Sequence, residues 1–320
     1  MKKLLALCCL LGLAHSVSAQ DVVRLGNLKF AHYGAVWYMK EIAAKYNLKI
    51  EEQIFPKGID IFPAITAGNI DASASAVDGA IAARASGIPI YVVAGFAKGG
   101  VRIVSRTDLA LHSVADLKGR KVGVPRGGAQ ELALLAELAK AGLTWSDKGD
   151  KDVQILYLAY ADLNQALSSK NIDAMCQSEP YASTALAKGF GTEMLKPYDT
   201  PMGAPIRSLV ITEKLYKERP DVAARFLKCF VEATQLFIAQ PELAEKYVRE
   251  VMFKKQLSAE DYRDAISNSP FTYDITVEHV QISTDFMVKY GVGKMAKPPV
   301  ATEYVKLDLL EKAKKELGAK

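Results

Sequence analysis

Two segments of the chain share a thirteen-residue pattern, and the distance between them constrains the fold more than any other feature. Residues 60–72 read DIFPAITAGNIDA, and residues 162–174, which lie 102 positions later, read DLNQALSSKNIDA. Asp, Ala, Asn, Ile, Asp and Ala are identical in register. Each copy follows one apolar run and leads into another, so each predicts strand, loop, helix and strand. A repeat of about a hundred residues is too long for a solenoid and indicates two lobes built on one plan.

The patterns around the repeat predict alternating strands and helices, which is typical of an α/β protein with mostly parallel sheets covered on both faces. For the first half we expect strands at 22–28, 50–55, 70–76, 90–94 and 101–104, with helices at 35–46, 59–67 and 79–85. For the second half we expect strands at 121–124, 153–159 and near Met194, with helices at 129–141 and 181–188. A strand at 207–212 follows, and from Pro220 onward the chain is predicted to be nearly all helical.

The simplest topology has two crossings between the lobes. The chain leaves the first lobe near Ser105, completes the second and returns near Pro205. We therefore expect the first lobe to comprise residues 20–105 and 206–320, with the C-terminal helices, and the second to comprise 106–205. Two crossings form a hinge and leave a cleft between the lobes. In open parallel sheets, ligands bind beyond the carboxyl ends of the strands, where helix N-termini point.

The N-terminus predicts export. Residues 1–19 carry Lys2 and Lys3, then an apolar core, then Val17-Ser18-Ala19, which fits a cleaved signal peptide. The core is too short to span a membrane, so we expect a soluble periplasmic protein. Removing residues 1–19 lowers the formal net charge from +5 to +3, which gives no reason to expect nucleic-acid binding.

The remaining cysteines, Cys176 and Cys229, are expected to be buried free thiols, because one falls in a predicted strand of the second lobe and the other in a helix of the first. His32, His112 and His279 lie far apart and show no spacing typical of a metal site. We therefore expect no metal and no cofactor.

Four local patterns resemble the solute-binding proteins of bacterial ABC importers, in the branch that includes nitrate, alkanesulfonate, taurine and thiamine-precursor binders. They are AITAGNIDA at 64–72, DLKGRKVGV at 116–124, the pair Gly127-Gly128 before a helix, and EPY at 179–181. The resemblance covers essentially the whole mature chain. It implies a type II periplasmic binding protein, a monomer that delivers a small molecule to an ABC permease in the inner membrane.

The loop PRGGA at 125–129 joins a predicted strand to a helix. Its backbone N–H groups can meet an anion, and Gly127 and Gly128 allow close approach. Arg126 would add a charge suited to a carboxylate, sulfonate or phosphate. Alternatively, Arg126 pairs across the lobes or lies in solvent.

Equivalent loops of the two lobes supply further candidates for ligand binding. Ser75 and Asp78 follow one strand, and Ser178 and Glu179 follow the equivalent strand, so the two loops are expected to face each other. Asp78 and Ser178 also suit helix N-caps, and for Asp78 the cap is favoured. An inward Glu179 would favour a ligand with an amine, an amide or a ring N–H.

The segment FAHYGAVW at 30–37 brings aromatic residues to the end of the first strand. We expect His32 and Tyr33 in the cleft, whereas Phe30 and Trp37 fit the core better. The opposite wall is expected to hold Tyr160 and Tyr181. Arg207, at the return crossing, is expected to form a hinge salt bridge rather than a ligand clamp.

These residue types predict a small organic ligand with an aromatic or heterocyclic body, and a carboxylate or sulfonate group is compatible with them. One alternative is an exported enzyme on the same scaffold that uses His32 with Glu179. Another is a sensor subunit of a membrane signalling system. The chain has no nucleophile elbow, phosphate-binding loop or dinucleotide fingerprint, so we expect a binding protein rather than an enzyme.

Overall fold

The computed structural model describes residues 19–319, so the predicted signal peptide lies outside the described residues except for Ala19. The strands are β1 (Asp21–Asn27), β2 (Leu48–Ile54), β3 (Ala72–Ala76), β4 (Ile90–Lys98), β5 (Val101–Arg106), β6 (Lys121–Val124), β7 (Trp145–Ser146), β8 (Val153–Tyr157), β9 (Ala174–Ser178), β10 (Gly191–Leu195) and β11 (Ile206–Thr212). The α-helices are α1 (Gly34–Ile42), α2 (Ile61–Thr66), α3 (Val77–Ala85), α4 (Ala129–Lys140), α5 (Tyr160–Ser168), α6 (Tyr181–Ala187), α7 (Glu213–Glu218), α8 (Pro220–Ala239), α9 (Pro241–Lys246), α10 (Ala259–Asn268), α11 (Val277–Tyr290), α12 (Ala301–Tyr304) and α13 (Asp308–Leu317).

The strands form two sheets, one for each lobe. The first has the order β2-β1-β3-β11-β4 and the second has the order β10-β5-β9-β6-β8-β7. Pairs among β1, β2 and β3, and among β6, β7, β8 and β9, are parallel. The strands next to the crossings, β5 and β11, run antiparallel to their neighbours. The predicted α/β architecture with two mostly parallel sheets is therefore confirmed.

The first crossing lies at Gly99–Gly100 rather than near Ser105. β4 belongs to the first sheet, whereas β5 hydrogen-bonds to β9 and β10 of the second. The sequence pattern missed this change because both segments begin with apolar residues typical of strands and carry no local sign of which sheet each one joins. The return occurs just before β11, close to the predicted Pro205. The two crossing segments touch, since the Gly99 N–H donates to the Pro205 carbonyl at 2.6 Å.

Each copy of the repeat ends a helix with the same turn. In both copies the backbone N–H of the shared asparagine donates to the carbonyl of the shared alanine, at 2.9 Å for Asn69 to Ala64 and 2.9 Å for Asn171 to Ala166. The residue before each asparagine adopts a left-handed conformation, with φ of 75° at Gly68 and 64° at Lys170. The shared residues therefore specify a helix C-terminus followed by a strand.

The second shared aspartate fixes strand register in both lobes. The Asp71 carboxylate accepts a hydrogen bond from the backbone N–H of Arg24 in β1, at 3.0 Å. The Asp173 carboxylate accepts one from the backbone N–H of Lys121 in β6, also at 3.0 Å. In each lobe, the shared aspartate directly precedes one strand, β3 or β9, and hydrogen-bonds to the backbone of the neighbouring parallel strand, β1 or β6. The duplicated pattern thus encodes the shared framework of the two sheets.

Most predicted element limits lie close to the observed ones, with two informative differences. The predicted helix at 35–46 ends as an α-helix at Ile42 and continues as a 3-10 turn, Ala43–Tyr46. The strand predicted at 90–94 extends to Lys98, because β11 pairs with it over this length and the segment after α10 adds further hydrogen bonds, including Gly95 N–H to the Tyr273 carbonyl at 3.0 Å. The second difference depends on a tertiary contact, which local pattern does not contain.

A smaller apolar cluster that includes Leu163 and Met175 lies in the second lobe, and the main core extends across both sheets and the C-terminal helices. From α8 it includes the fully buried Phe226 and Phe230. Cys176 and Cys229 are buried and free, as predicted. No helix within residues 19–319 is long and apolar enough to cross a membrane.

The crossing can be tested at Gly99, whose φ is +82° and whose added Cβ would lie 2.4 Å from the Asn268 carbonyl oxygen. We expect Gly99→Ala to destabilise the fold by the cost of a left-handed alanine, about 1–2 kcal/mol, plus about 1–3 kcal/mol for the clash. Gly189→Ala is the matched control, because its φ is +74° and no atom lies within 4 Å of its added Cβ. Urea unfolding measures both changes, and equal losses would contradict the packing argument.

Candidate ligand-binding cleft

A cavity lies between the two lobes at the carboxyl ends of the central parallel strands. The first lobe contributes the turn after β1, the start of α3 after β3, and the loop after β2. The second lobe contributes the loop between β6 and α4, the end of β9 and the start of α5. The volume that the centre of a water-sized sphere can occupy is about 20 Å³, which is room for about one water molecule. A larger ligand therefore requires the two walls to move apart.

Most of the predicted site residues line this cavity, and two do not. Those that line it are His32, Tyr33, Ser75, Asp78, Arg126, Gly127, Gly128 and Ser178. Glu179 and Tyr181 lie outside it. The lining also includes Phe30, Tyr160 and Arg207, which sequence reasoning considered, and Lys57, Ile59 and Gln130, which it missed. Lys57 and Ile59 follow the Phe55-Pro56 end of β2, a signal that a strand was ending toward the same edge.

Three buried polar atoms in the cavity wall have no hydrogen-bond partner within the described chain. They are His32 Nδ1, Asp78 Oδ1 and Arg207 Nε. Their residues are only 1 %, 2 % and 3 % exposed, respectively. Buried polar atoms are rarely left without partners, because each costs about 1–3 kcal/mol. Three in one cavity indicate a place where a ligand supplies the missing partners.

Arg207 does not form the predicted hinge salt bridge. Its Nη2 donates to the Gly99 carbonyl at 3.3 Å. Among residues 19–319, no carboxylate lies within ion-pair distance of its guanidinium. The charge therefore faces the cavity from β11, immediately after the return crossing. A buried unpaired cation is costly and favours an anionic partner.

Asp78 does not cap its helix, contrary to expectation. The N-cap of α3 is Ala76, and Asp78 lies in the first turn with its carboxyl toward the cavity. Burial raises the Asp78 pKa to about 7, although the Arg207 charge acts in the opposite direction. Burial also holds the pKa of His32 well below its usual range, and Arg207 adds to this effect. His32 is therefore neutral at physiological pH and can donate or accept a hydrogen bond.

Aromatic rings from both lobes form the walls. Phe30 packs edge-on against Tyr160, with ring centroids 5.1 Å apart, and contacts Tyr33 at 5.7 Å. The Tyr160 hydroxyl donates to Gln130 Oε1 at 2.9 Å, and both residues line the cavity. Phe30 therefore belongs to the cleft and not only to the core. Trp37 lies in the core layer and donates to the Leu28 carbonyl at 2.8 Å.

The loop before α4 has the predicted shape but directs its charge elsewhere. Gly127 has a φ of +72°, and Gly128 is the N-cap of α4. The Arg126 guanidinium stacks over Tyr157 at 3.6 Å from the ring centroid and lies 3.5 Å from Asp147. Its partners are thus in its own lobe, so its charge is already engaged there and does not pair across the lobes. The first backbone N–H groups of α4 remain available to an anion, because they have no intrahelical acceptor.

The two serines are weakly engaged. The Ser75 hydroxyl donates to the Ala76 carbonyl at 3.4 Å, and the Ser178 hydroxyl donates to the Gly100 carbonyl at 3.4 Å. Ser178 is the last residue of β9 and does not cap α6, whose N-cap is Pro180. Both hydroxyls can turn toward a ligand at small cost.

Glu179 is part of a structural ion cluster rather than the cavity. Its Oε1 lies 2.7 Å from Arg102 Nε and accepts from Asn268 Nδ2 at 2.8 Å. Its Oε2 accepts from the Ser183 hydroxyl at 2.7 Å. Burial raises the Glu179 pKa, against the effect of Arg102. The pair of His32 with Glu179 is therefore not assembled, since both carboxylate oxygens are engaged elsewhere.

Tyr181 lines a separate groove on the other side of the Phe30–Tyr160 contact. Its ring meets Phe30 edge-on, with centroids 6.0 Å apart. Lys29 and Lys57 lie in the same groove. Phe30, Lys57 and Tyr160 line both the groove and the cavity, so the two spaces adjoin.

Comparison with known proteins decides the family. The model of the NMT1-like family matches residues 20–251, which is most of the chain. The chain belongs to the NMT1-like family. The predicted resemblance to ABC-importer binding proteins is therefore confirmed at the level of family and fold.

Relatives of this NMT1-like protein include one of full length. A protein of Brachyspira hyodysenteriae, provisionally named an ABC transporter periplasmic binding protein, is 23% identical and the match covers 97% of this chain and 94% of that protein. The alkanesulfonate-binding protein SsuA from Xanthomonas axonopodis pv. citri, solved bound to MOPS, has a TM-score of 0.76 at 19% identity, covering 91% of this chain and 99% of that one. The periplasmic nitrate-binding protein NrtA from Synechocystis PCC 6803 has a TM-score of 0.77 at 16% identity, covering 94% and 90%.

Asp78 gives this site a pH dependence that can be measured without a ligand. Its pKa is about 7 in the folded protein and about 3.9 in an unfolded chain. Between these values the folded state keeps a proton that the unfolded state releases, so this group's contribution to stability falls as the pH rises. The quantity to follow is the free energy of unfolding of Asp78→Asn minus that of the unsubstituted protein. We expect this difference to increase by up to about 1.4 kcal/mol for each unit by which the pH rises in this window.

Urea unfolding of ligand-free protein at several pH values between about 4 and about 7 measures this difference. The exposed Asp162 provides the control for the loss of a carboxylate, because a substitution at an exposed position such as Asp162→Asn should change stability by less than about 0.5 kcal/mol. A flat difference for Asp78→Asn would mean that this carboxyl titrates normally.

Proposed function

We propose that the protein is a periplasmic solute-binding protein that captures a small organic anion in the interlobe cavity and delivers it to an ABC importer. The ligand has an aromatic or heterocyclic body and a carboxylate or sulfonate group. It bridges the lobes, so it stabilises their closed arrangement over the open one. The permease then recognises the closed form.

The observation that carries the proposal is the environment of Arg207. Arg207 is 3 % exposed and lines the cavity, and its guanidinium has an unpartnered Nε. An anionic group can take a forked pair of hydrogen bonds from an arginine, which is the strongest arrangement available to a carboxylate or sulfonate. The first N–H groups of α4 reach the cavity from the other lobe. An anion between them would contact both lobes at once.

The cavity walls support a ring-shaped body for the ligand. Phe30 and Tyr33 come from the first lobe and Tyr160 from the second, and all three line the same space. Aromatic faces bind flat apolar groups with favourable stacking of about 0.5–1.5 kcal/mol for each pair. The names of the structural neighbours, sulfonate-binding and nitrate-binding proteins, support an anion on this scaffold.

A binding role also fits the relatives better than catalysis. The full-length relative is named a periplasmic binding protein. The one acid–base pair that the sequence offered, His32 with Glu179, is divided, because Glu179 is held by Arg102, Asn268 and Ser183. The monomeric state and the export of the chain remain predictions.

A thermal-shift screen of refolded, ligand-free protein tests the proposal. The compounds are aromatic carboxylates, aromatic sulfonates, pyrimidines, nitrate and amino acids. An organic acid present at a hundredfold excess over its dissociation constant adds about 2.7 kcal/mol of stability, which raises the melting temperature by several degrees. If compounds without an acidic group gave the response and organic acids gave none, the proposed ligand class would be wrong.

Substitution of Arg207 tests whether this arginine, rather than another cation at the cavity, binds the anion. We expect Arg207→Met to weaken the organic acid that responds in the screen by about a hundredfold, because a buried charged hydrogen bond is lost. Arg126→Ala is the matched control and should change affinity by less than about threefold, since that side chain is 56% exposed and stacks on Tyr157. Isothermal titration calorimetry measures both. Equal losses would assign the anion to the α4 loop instead.

A further inference from the structure

Asp78 places an acceptor beside the cation of the proposed anion site. It is the one acidic residue among the described residues that line the cavity, and its Oδ1 has no partner. A ligand that offers only an anion would satisfy Arg207 and leave Asp78 unpaired next to a second negative group. Like charges that share a buried site disfavour each other, so such a ligand binds at a cost.

Asp78 and Arg207 belong to the same wall of the cavity. In the first sheet, Arg207 of β11 lies directly opposite Ala76 of β3, and Asp78 follows in the first turn of α3. Each charge is close enough to influence the other, yet no ion pair forms between them. A ligand therefore meets the cation and the acceptor along one of its edges, and its two complementary groups must be neighbours.

We propose that the ligand carries an N–H donor next to its acidic group, so that Asp78 accepts the N–H while Arg207 binds the acid. This inference rests on the proposed function and narrows its ligand class to amphoteric or N–H-bearing organic acids. Asp78 is then the specificity-determining residue, which rejects acids that have no N–H at the neighbouring position.

The carboxylate form of Asp78 is the one that pairs with an N–H donor. Burial raises the Asp78 pKa in the empty cavity, so binding at mildly acidic pH releases a proton from it. The charged and titratable groups that face Asp78 or line the same cavity are Arg207 of β11, Glu131 of α4, His32 and Tyr33 of the turn after β1, Tyr160 of α5, Lys57 and Arg126. Glu131 is engaged by the Gly127 N–H at 2.6 Å and the Tyr157 hydroxyl at 2.7 Å, which leaves Asp78 as the group whose partner changes on binding.

Two matched pairs of probes test the inference with the purified ligand-free protein. The first is pyrrole-2-carboxylate against furan-2-carboxylate, which differ by a ring N–H in place of a ring oxygen. The second is 2-aminobenzenesulfonate against benzenesulfonate. In at least one pair we expect the compound with the N–H to bind at least about tenfold more tightly. The compound without it leaves a buried acceptor, Asp78 Oδ1, without a hydrogen bond.

The variants assign this preference to Asp78. In Asp78→Ala the ratio within the pair should fall to about one, and in Asp78→Asn it should fall while the shape of the site is kept. Calorimetry in buffers of different ionisation enthalpy should show release of close to one proton per ligand at about pH 6 in the unsubstituted protein and none in Asp78→Asn. A purely structural role for Asp78 would not produce the proton release.

The other outcomes separate this inference from the proposed function. Equal affinity within both pairs would overturn the inference and leave organic-anion binding intact. Binding of nitrate or ethanesulfonate, with none of the four probes bound, would also overturn it, because a simple anion would then suffice. If no anion in this set or in the wider screen bound, the proposed function itself would be wrong.

Discussion

The exchange of strands between the two sheets is the constraint on which the rest of the structure depends. After Gly99–Gly100 the chain enters the second sheet as β5, and it returns as β11 between β3 and β4 of the first. The Gly99 N–H bonds to the Pro205 carbonyl, so the two crossings lie side by side. Arg207 lies in β11, directly after the second crossing. Any ligand held by Arg207 therefore acts on a strand that also forms the hinge.

The two buried arginines that follow the crossings differ in their ion pairs. Arg102 follows the first crossing in β5, and Arg207 follows the second in β11. Both are almost fully buried, at 1 % and 3 % exposure. Arg102 meets three carboxylates, from Glu179, Glu193 and Asp264, whereas none lies within ion-pair distance of Arg207 in the described chain. Because an unpaired buried charge is far more costly than a paired one, the ion pairs of Arg102 stabilise the fold, whereas Arg207 carries the charge that the proposed ligand would neutralise.

Many of the helices and strands could be predicted, because short segments of the sequence specify them. The repeat encodes a helix end and an aspartate that fixes strand register, and both recur in each lobe. The same pattern placed Ser75, Asp78 and Ser178 at equivalent strand ends, and all three line the cavity. What the sequence left open depends on tertiary partners. Glu179 looked like a ligand group, but the charge that neutralises it, Arg102, lies on another strand.

Arg126 and Arg207 show, in opposite ways, that the sequence does not reveal the tertiary partners of a side chain. Arg126 stands in the expected anion-binding loop, yet a ring and a carboxylate of its own lobe hold its guanidinium. Arg207 was expected to pair at the hinge, yet its neighbours in space leave it unpaired. Residue type and spacing therefore identify which loops meet at the cleft. They do not identify which side chain at the cleft already has its hydrogen-bond and ion-pair partners, because those partners are distant in sequence.

The unsatisfied groups also explain how binding can drive closure. When the lobes meet over an empty cavity, His32 Nδ1, Asp78 Oδ1 and Arg207 Nε are removed from water without gaining a hydrogen-bond partner. Each such group costs about 1–3 kcal/mol, and a charged one costs more, so these residues disfavour the empty closed state. A ligand that pairs with them removes that penalty only in the closed state. The difference between the two states is the free energy that couples binding to closure, and it depends on the same atoms that select the ligand.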